Sequence, residues 1–217
     1  KTYKWVTEME KINKIYRRIL RMHMDKEYQR RIKNKDCSII SMNCVGGVVS
    51  HELGLRFNSP TVNLWFTPKE FIKFLSQLEH YLYDCKIEMD EKNSEKYGYP
   101  VGKLEDIHVY FTHYETFEQA KQKWIERLKR LNMDNLYIIM VQKDGCTEQD
   151  ICSFDSLEFK HKVIFTVKEY PQYRSAYYIP KSEADIQNVK NLCDYQSKFT
   201  GKRWLDEFDW ISFLNER

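Results

Sequence analysis

Glycine and proline are scarce in this chain, at seven and five of 217 residues. That excludes a linker-rich or low-complexity polypeptide, whose composition runs to Gly, Pro and Ser. Long apolar runs are also lacking. The longest uncharged stretch, Cys37 to Ser50, has 14 residues interrupted by Ser, Asn and Gly, short of the roughly 20 apolar residues that span a bilayer. No charged-then-apolar leader pattern is visible at the start. The six cysteines, at 37, 44, 85, 146, 152 and 193, include no CxxC pair. A chain of this size needs no disulfide framework, so a reducing, cytoplasmic setting is expected, with the inner face of the membrane as a peripheral alternative. Cys/His groupings such as His108 with His113 and Cys146 with Cys152 lack ligand spacing, and no metal site is expected.

What is present is a hydrophobic fraction of 42%, a charged fraction of 31%, and fifteen Tyr, twelve Phe and five Trp. The chain can therefore bury a sizeable core. Its net charge of +3 is unevenly placed: residues 1–35 hold 12 Lys/Arg against 4 Asp/Glu, a balance of +8, which leaves −5 for the rest. Nucleic acid is a poor fit, because the basic excess is confined to this segment and no binding motif is present.

Residues 5 to about 33 read as one long helix. Met9, Ile12, Tyr16, Ile19 and Tyr28 share a stripe, with Ile15 and Met22 beside it, and arginines fill much of the remainder. The simpler expectation is a helix docked on the domain by its apolar stripe. The alternative is a basic amphipathic helix that contacts an anionic membrane or a partner in an assembly.

From Asp36 onward, strand-like runs alternate with helix caps. The strands are expected at 37–42, 61–66, 85–89, 107–111, 136–141, 162–167 and 176–179. Thr67-Pro68-Lys69-Glu70, Thr116 to Gln119 and Thr147 to Asp150 read as capping boxes. Helices follow them, with another near 184–193, and the chain closes in an aromatic end from Trp204 to Leu214. This alternation predicts an α/β fold, a largely parallel Rossmann-like sheet with flanking helices preceded by a long N-terminal helix. The expected organisation is a basic helix over 1–35 and one α/β domain over 36–217, with 170–217 as an irregular subdomain in the alternative.

Ligands of a parallel sheet gather beyond the carboxyl ends of its strands. The residues there are Asn43 and Cys44, Thr67, His113, Asp144, and Lys168 with Tyr170. Gly46 and Gly47 after Asn43 permit close backbone approach, and amides opening a helix suit an anion. Cys44 is a candidate nucleophile with His113 as its base. Asp144 is a candidate base, or simply the start of an Asp-Gly turn. Arg127 and Arg130 share a helix face and could clamp a diphosphate, or form a solvated face.

Several stretches in order resemble a bacterial family of exopolysaccharide or capsular polysaccharide biosynthesis proteins (domain of unknown function nineteen-nineteen). They are Ser38 to Gly47, Leu53 to Thr61, Tyr99 to Gly102, His113-Tyr114, Trp124 to Asn132 with its two arginines, Lys143 to Thr147 and Gly201 to Arg203. The resemblance covers about residues 36–214. It implies a role in assembling bacterial surface glycans and brings no catalytic residues; Val45 stands where the family often has an aromatic. The Asn-Cys pair and distant His are also similar, more loosely, to papain-like cysteine peptidases. Three readings are open: a glycosyltransferase-like enzyme using a nucleotide-activated sugar, a Cys44–His113 hydrolase or acyltransferase on a glycan-related substrate, and a non-catalytic module of a polysaccharide assembly complex.

Overall fold

Leu136 to Val141 is an almost unbroken apolar run, which a strand tolerates only where both faces of its sheet are covered. The computed structural model describes residues 2–216, with side chains from Met9 onward. It places that run at the centre of a four-stranded parallel sheet. In chain order the elements are α1 (Thr2–Arg31), β1 (Ser38–Ser41), α2 (Val45–Glu52), α3 (Pro68–Ser76), β2 (Glu88–Met89), α4 (Glu91–Tyr97), β3 (Val101–Leu104) and β4 (Ile107–Tyr110). Then come α5 (Phe117–Leu128), β5 (Leu136–Val141), α6 (Glu148–Asp155), β6 (His161–Thr166), β7 (Ala176–Tyr178) and α7 (Trp210–Asn215). The large sheet has the order β1-β5-β6-β7, every pair parallel. A second, antiparallel sheet is β2-β3-β4.

Period-two alternation divides the core. Ile40, Ile138, Met140 and Ile164 face one layer with Phe71 and Phe74 of α3, Trp124 of α5 and Ile151 and Phe154 of α6. Ile39, Tyr137, Ile139, Val141, Val163 and Phe165 face the other, against Val45 and Val49 of α2 and the tail residues Leu192, Leu205, Trp210 and Leu214. The chain is thus a parallel α/β sandwich, and residues 170–216 share its core despite their irregular backbone.

The capping sites behave as their residue types require. Thr67 accepts from Glu70 N–H, Thr116 from Gln119 N–H and Thr147 from Asp150 N–H, and the Asp150 carboxylate returns the bond to Thr147 N–H at 2.8 Å. Two expected elements do not form. Residues 61–66 make no strand: Asn63 adopts the left-handed region at φ 64°, and Thr61 Oγ1 takes the Ser41 N–H at 3.0 Å. Only Trp65 pairs, as an isolated bridge to Tyr110. Residues 184–193 make no helix. The Asp185 carboxylate captures the amides of Gln187 and Asn188, both at 2.8 Å, and such local side-chain bonds compete with helix formation. α4 and β3 lie between the strands expected at 85–89 and 107–111, where the sequence reading placed no element.

The first helix docks the opposite way from the simpler expectation. Met9, Ile12, Ile15, Tyr16, Ile19 and Met22 are 49–61% exposed. The inward face is held by Arg21, which is 4% exposed. Its guanidinium binds Asp25 at 2.7 Å and also contacts Glu52 and Asp206. Among the described residues, no helix is long and apolar enough to cross a membrane.

Beyond β1, α2 packs directly on the strand it follows. A Cβ on Gly46 would sit 2.6 Å from Ser41 Cβ, inside any contact real side chains make. On Gly47 the nearest atom would be Val62 Cγ1 at 3.3 Å, a milder contact. Gly46→Ala is therefore expected to cost about 1–3 kcal/mol of stability by overpacking. Thermal unfolding should show a larger drop in Tm for Gly46→Ala than for Gly47→Ala; an unchanged Gly46→Ala protein would contradict the close contact.

Candidate functional site

The parallel ladder of β1 ends where Met42 N–H donates to Ile139 O at 2.9 Å. The chain then turns through Asn43, whose Oδ1 accepts the Val45 N–H at 3.1 Å. Ser41 Oγ accepts the Gly46 N–H at 3.2 Å. These two side chains satisfy two of the open amides at the start of α2, a requirement of every helix N-terminus. They also take up two of the amides that an anion would have used. Cys44 lies at this junction, half-buried, immediately before the first residue of α2.

His113 follows β4, which belongs to the other sheet. The stitch between sheets is the segment that failed to become a strand. Phe66 N–H donates to Met42 O at 2.9 Å, while Trp65 and Tyr110 exchange bonds of 2.9 and 3.0 Å. The end of β1 and the end of β4 are thereby drawn together through Trp65-Phe66. Cys44 Sγ lies 3.0 Å from His113 Nε2, within hydrogen-bond reach for a thiol and an imidazole. Burial pushes the Cys44 thiol above its ordinary value, with its own backbone hydrogen bond opposing. Burial thus works against a preformed Cys44 thiolate, and the His113 ring nitrogen stands within hydrogen-bond reach of the sulfur.

Both side chains open onto a cavity of about 830 Å³. Asn43, Cys44, Gly47, His113 and Asp144, all expected at the site, line it together. Asp144 and Gly145 turn the chain after β5 with φ of 55° and 86°, and Asn188 Oδ1 fixes the turn by accepting the Asp144 N–H at 3.0 Å. Aromatic faces come from Phe57 and Trp65. Trp65 is stacked on Tyr110 with centroids 4.0 Å apart. Cations come from Lys143, Lys190 and Arg203.

Sequence reasoning missed the wall formed by Glu52, Cys193 and Arg203. Glu52 ends α2 and is bound by Arg203 at 2.7 Å and by Arg21. Three carboxylates, Asp25, Glu52 and Asp206, share the two guanidiniums of Arg21 and Arg203. Burial pushes the Glu52 carboxyl up to about 7, with the Arg21 and Arg203 charges opposing. Burial likewise raises the Cys193 thiol to about 12, and the neighbouring Cys44 adds to that rise. The only sequence signal for this wall was the Gly201-Lys202-Arg203 stretch, for which spacing suggests no partner.

Gly46, Arg127 and Arg130 do not line the cavity. Gly46 is turned onto Ser41. Arg127 is buried, donating to Val62 O at 2.9 Å and Tyr114 Oη at 2.7 Å. Arg130 donates to Phe57 O at 3.0 Å. The two arginines do share a direction, but their donors are spent on the backbone of the loop that carries Phe57 and Asn63, so they brace the cavity wall in place of clamping a diphosphate. Thr67 is occupied as a helix cap, and Lys168 and Tyr170 line a separate cavity of about 740 Å³.

Comparison with known proteins places this geometry in a family. A protein from Haemophilus influenzae, described as an uncharacterized protein, is 39% identical over 206 residues, covering 95% of this chain and 97% of the relative. The family model described as "Domain of unknown function (DUF1919)" matches residues 15–215, which include every residue of the cavity. The chain belongs to that family.

Proposed function

We propose that the chain is a Cys–His thiol enzyme, a hydrolase or acyltransferase acting on an acyl group carried by a glycan. The observation behind this reading is the 3.0 Å contact between Cys44 Sγ and His113 Nε2 at the mouth of a sizeable cavity. The Cys44 sulfur attacks the acyl carbonyl as His113 removes its proton, giving a thioester. His113 returns that proton to the leaving oxygen or nitrogen. Water or a sugar hydroxyl, losing its proton to His113, then attacks the thioester; the carbon–sulfur bond breaks, the acyl group leaves as an acid or ester, and His113 returns the proton to the Cys44 sulfur. The Val45 and Gly46 amides are already bonded. Asn43 Nδ2 is a side-chain donor on the same turn for the developing oxyanion, with Asn43 Oδ1 held by the Val45 N–H. Of the two acidic groups that line the cavity, Glu52 is paired with Arg21 and Arg203, which leaves Asp144 to orient His113 or the incoming nucleophile.

The glycan setting comes from the polysaccharide-biosynthesis resemblance, and the apolar faces of Phe57 and Trp65 suit a sugar ring. A nucleotide-sugar transferase draws less support, since the arginines and two helix-opening amides it would need for phosphates hold protein groups instead. The test is incubation with an activated acyl ester such as p-nitrophenyl acetate, read by intact mass and release of nitrophenol. An acyl adduct on Cys44 is expected, absent in Cys44→Ala and formed roughly 100-fold more slowly in His113→Ala. Equal turnover in Cys44→Ala would remove the reading.

A second reading, membrane attachment through α1, rests on a separate observation. Six large apolar side chains, Met9 to Met22, face outward, flanked by Lys11, Lys14, Arg18 and Lys26 on a segment of charge +8. An apolar stripe with basic flanks is complementary to an anionic bilayer surface. The full chain should co-float with vesicles containing phosphatidylglycerol and not with phosphatidylcholine alone, and Ile12→Glu/Ile19→Glu should abolish flotation. Failure to float, or light scattering that shows a dimer dissociated by the same substitutions, would assign the stripe to a second copy instead.

A further inference from the structure

The cluster His80, Cys85 and Glu105 lies outside the thiol cavity, and neither the family nor the proposed reaction gives it a role. Its geometry is unusual in three respects. First, after α3 the chain widens into a π-helical turn, His80–Asp84, closed by a bond from Cys85 N–H to His80 O at 3.2 Å. Such turns are rare and concentrate at functional sites. This one folds Cys85 back beneath the His80 ring. Second, Glu105 occupies the two-residue turn between β3 and β4 at φ 51°, a position that favours glycine, so a carboxylate is held there against backbone preference. Third, the hairpin is clamped onto the π-turn by neighbours that leave the cluster intact. Asp106 accepts from Tyr81 Oη at 2.7 Å and is paired with Lys73.

The result is one nitrogen, one sulfur and one oxygen donor within 4.8 Å of one another. His80 Nε2 is 3.2 Å from Glu105 Oε2 and 3.4 Å from Cys85 Sγ. In tetrahedral zinc coordination, bond lengths of about 2.0 Å to N and O and about 2.3 Å to S give edges of roughly 3.3 Å (N to O) and 3.5 Å (N to S). The two separations from His80 match those edges to about a tenth of an ångström. The other ring nitrogen, Nδ1, meets the Asp84 carboxylate at 3.3 Å, the arrangement that fixes the tautomer and orientation of a metal-bound imidazole.

We propose that His80, Cys85 and Glu105 form a zinc-binding site, with Asp84 orienting His80 and a fourth position open to water. The mixed N, S, O donor set selects a borderline-soft divalent ion over magnesium or calcium. On binding, the ion takes the place of the Cys85 thiol proton, which is released to solvent. The ion ties the π-turn to the β3–β4 hairpin.

The test is titration of the reduced, metal-free full chain with Co(II), read by the near-ultraviolet thiolate-to-cobalt charge-transfer band, with zinc displacing cobalt. One equivalent should bind, with the band present in wild type and undiminished in Cys44→Ser. Cys85→Ser should lose the band. Glu105→Gln, on an exposed turn where folding is not at stake, should keep the band and weaken binding at least tenfold. Asp84→Asn should weaken binding by roughly 10-fold. No band in wild type, a band surviving in Cys85→Ser, unchanged affinity in Glu105→Gln, or loss of the band in Cys44→Ser (which would assign the metal to the Cys44–His113 pair) would each overturn the proposal.

Discussion

The close seating of α2 on β1 is the contact on which the rest of the site depends. It requires the absence of a side chain at Gly46, since a methyl there would overlap Ser41. With the helix pressed onto the strand, Ser41 and Asn43 bond the Gly46 and Val45 amides and fix the turn between them. Cys44 is then placed at the carboxyl edge of the sheet with one direction open, toward His113. The Trp65-Phe66 stitch brings the second half of the pair from another sheet. A dyad assembled from a parallel-sheet turn and an antiparallel-sheet turn needs both contacts. Neither sheet alone carries it.

A buried ion cluster performs the corresponding task for α1. Arg21, Arg203, Asp25, Glu52 and Asp206 connect the first helix, the end of α2 and the tail. Ion pairs of this kind repay little more than their own desolvation, and the rise of Glu52 to about 7 shows burial outweighing its two guanidiniums. Its contribution is better understood as register: it leaves α1 only one way to sit, with the polar face inward and the apolar stripe exposed. Because Glu52 and Arg203 also line the cavity, the helix and the site share one set of charges.

The elements legible in the sequence were those set by local rules. The apolar run of β5 matched its predicted span, and the Thr67, Thr116 and Thr147 caps hold because each hydroxyl serves an amide three residues away. Cys44 and Asp144 were legible because each stands just past the end of a parallel strand, where such a sheet collects its ligands; for His113 the premise fails, since β4 lies in the antiparallel sheet, and the Trp65-Phe66 stitch brings it to the site instead. The features that stayed hidden were decided by distant partners. Residues 61–66 have strand composition, but Thr61 is drawn to the edge of β1 by its hydroxyl. Arg127 and Arg130 share a face as spacing requires, yet their partners are loop carbonyls more than sixty residues away. The amphipathic stripe of α1 was visible, but its direction was set by Glu52 and Asp206, which no periodicity connects to Arg21.

The central claim is that His113 serves Cys44 as a base. It is tested most directly by measuring the rate at which iodoacetamide alkylates each of the six cysteines, resolved by peptide mass, in wild type and His113→Ala. With His113 acting as the base, the Cys44 rate falls at least tenfold in His113→Ala, while the rates of the other cysteines hold. Alkylation of Cys44 at the rate of an ordinary thiol, unaltered by His113→Ala, would contradict it.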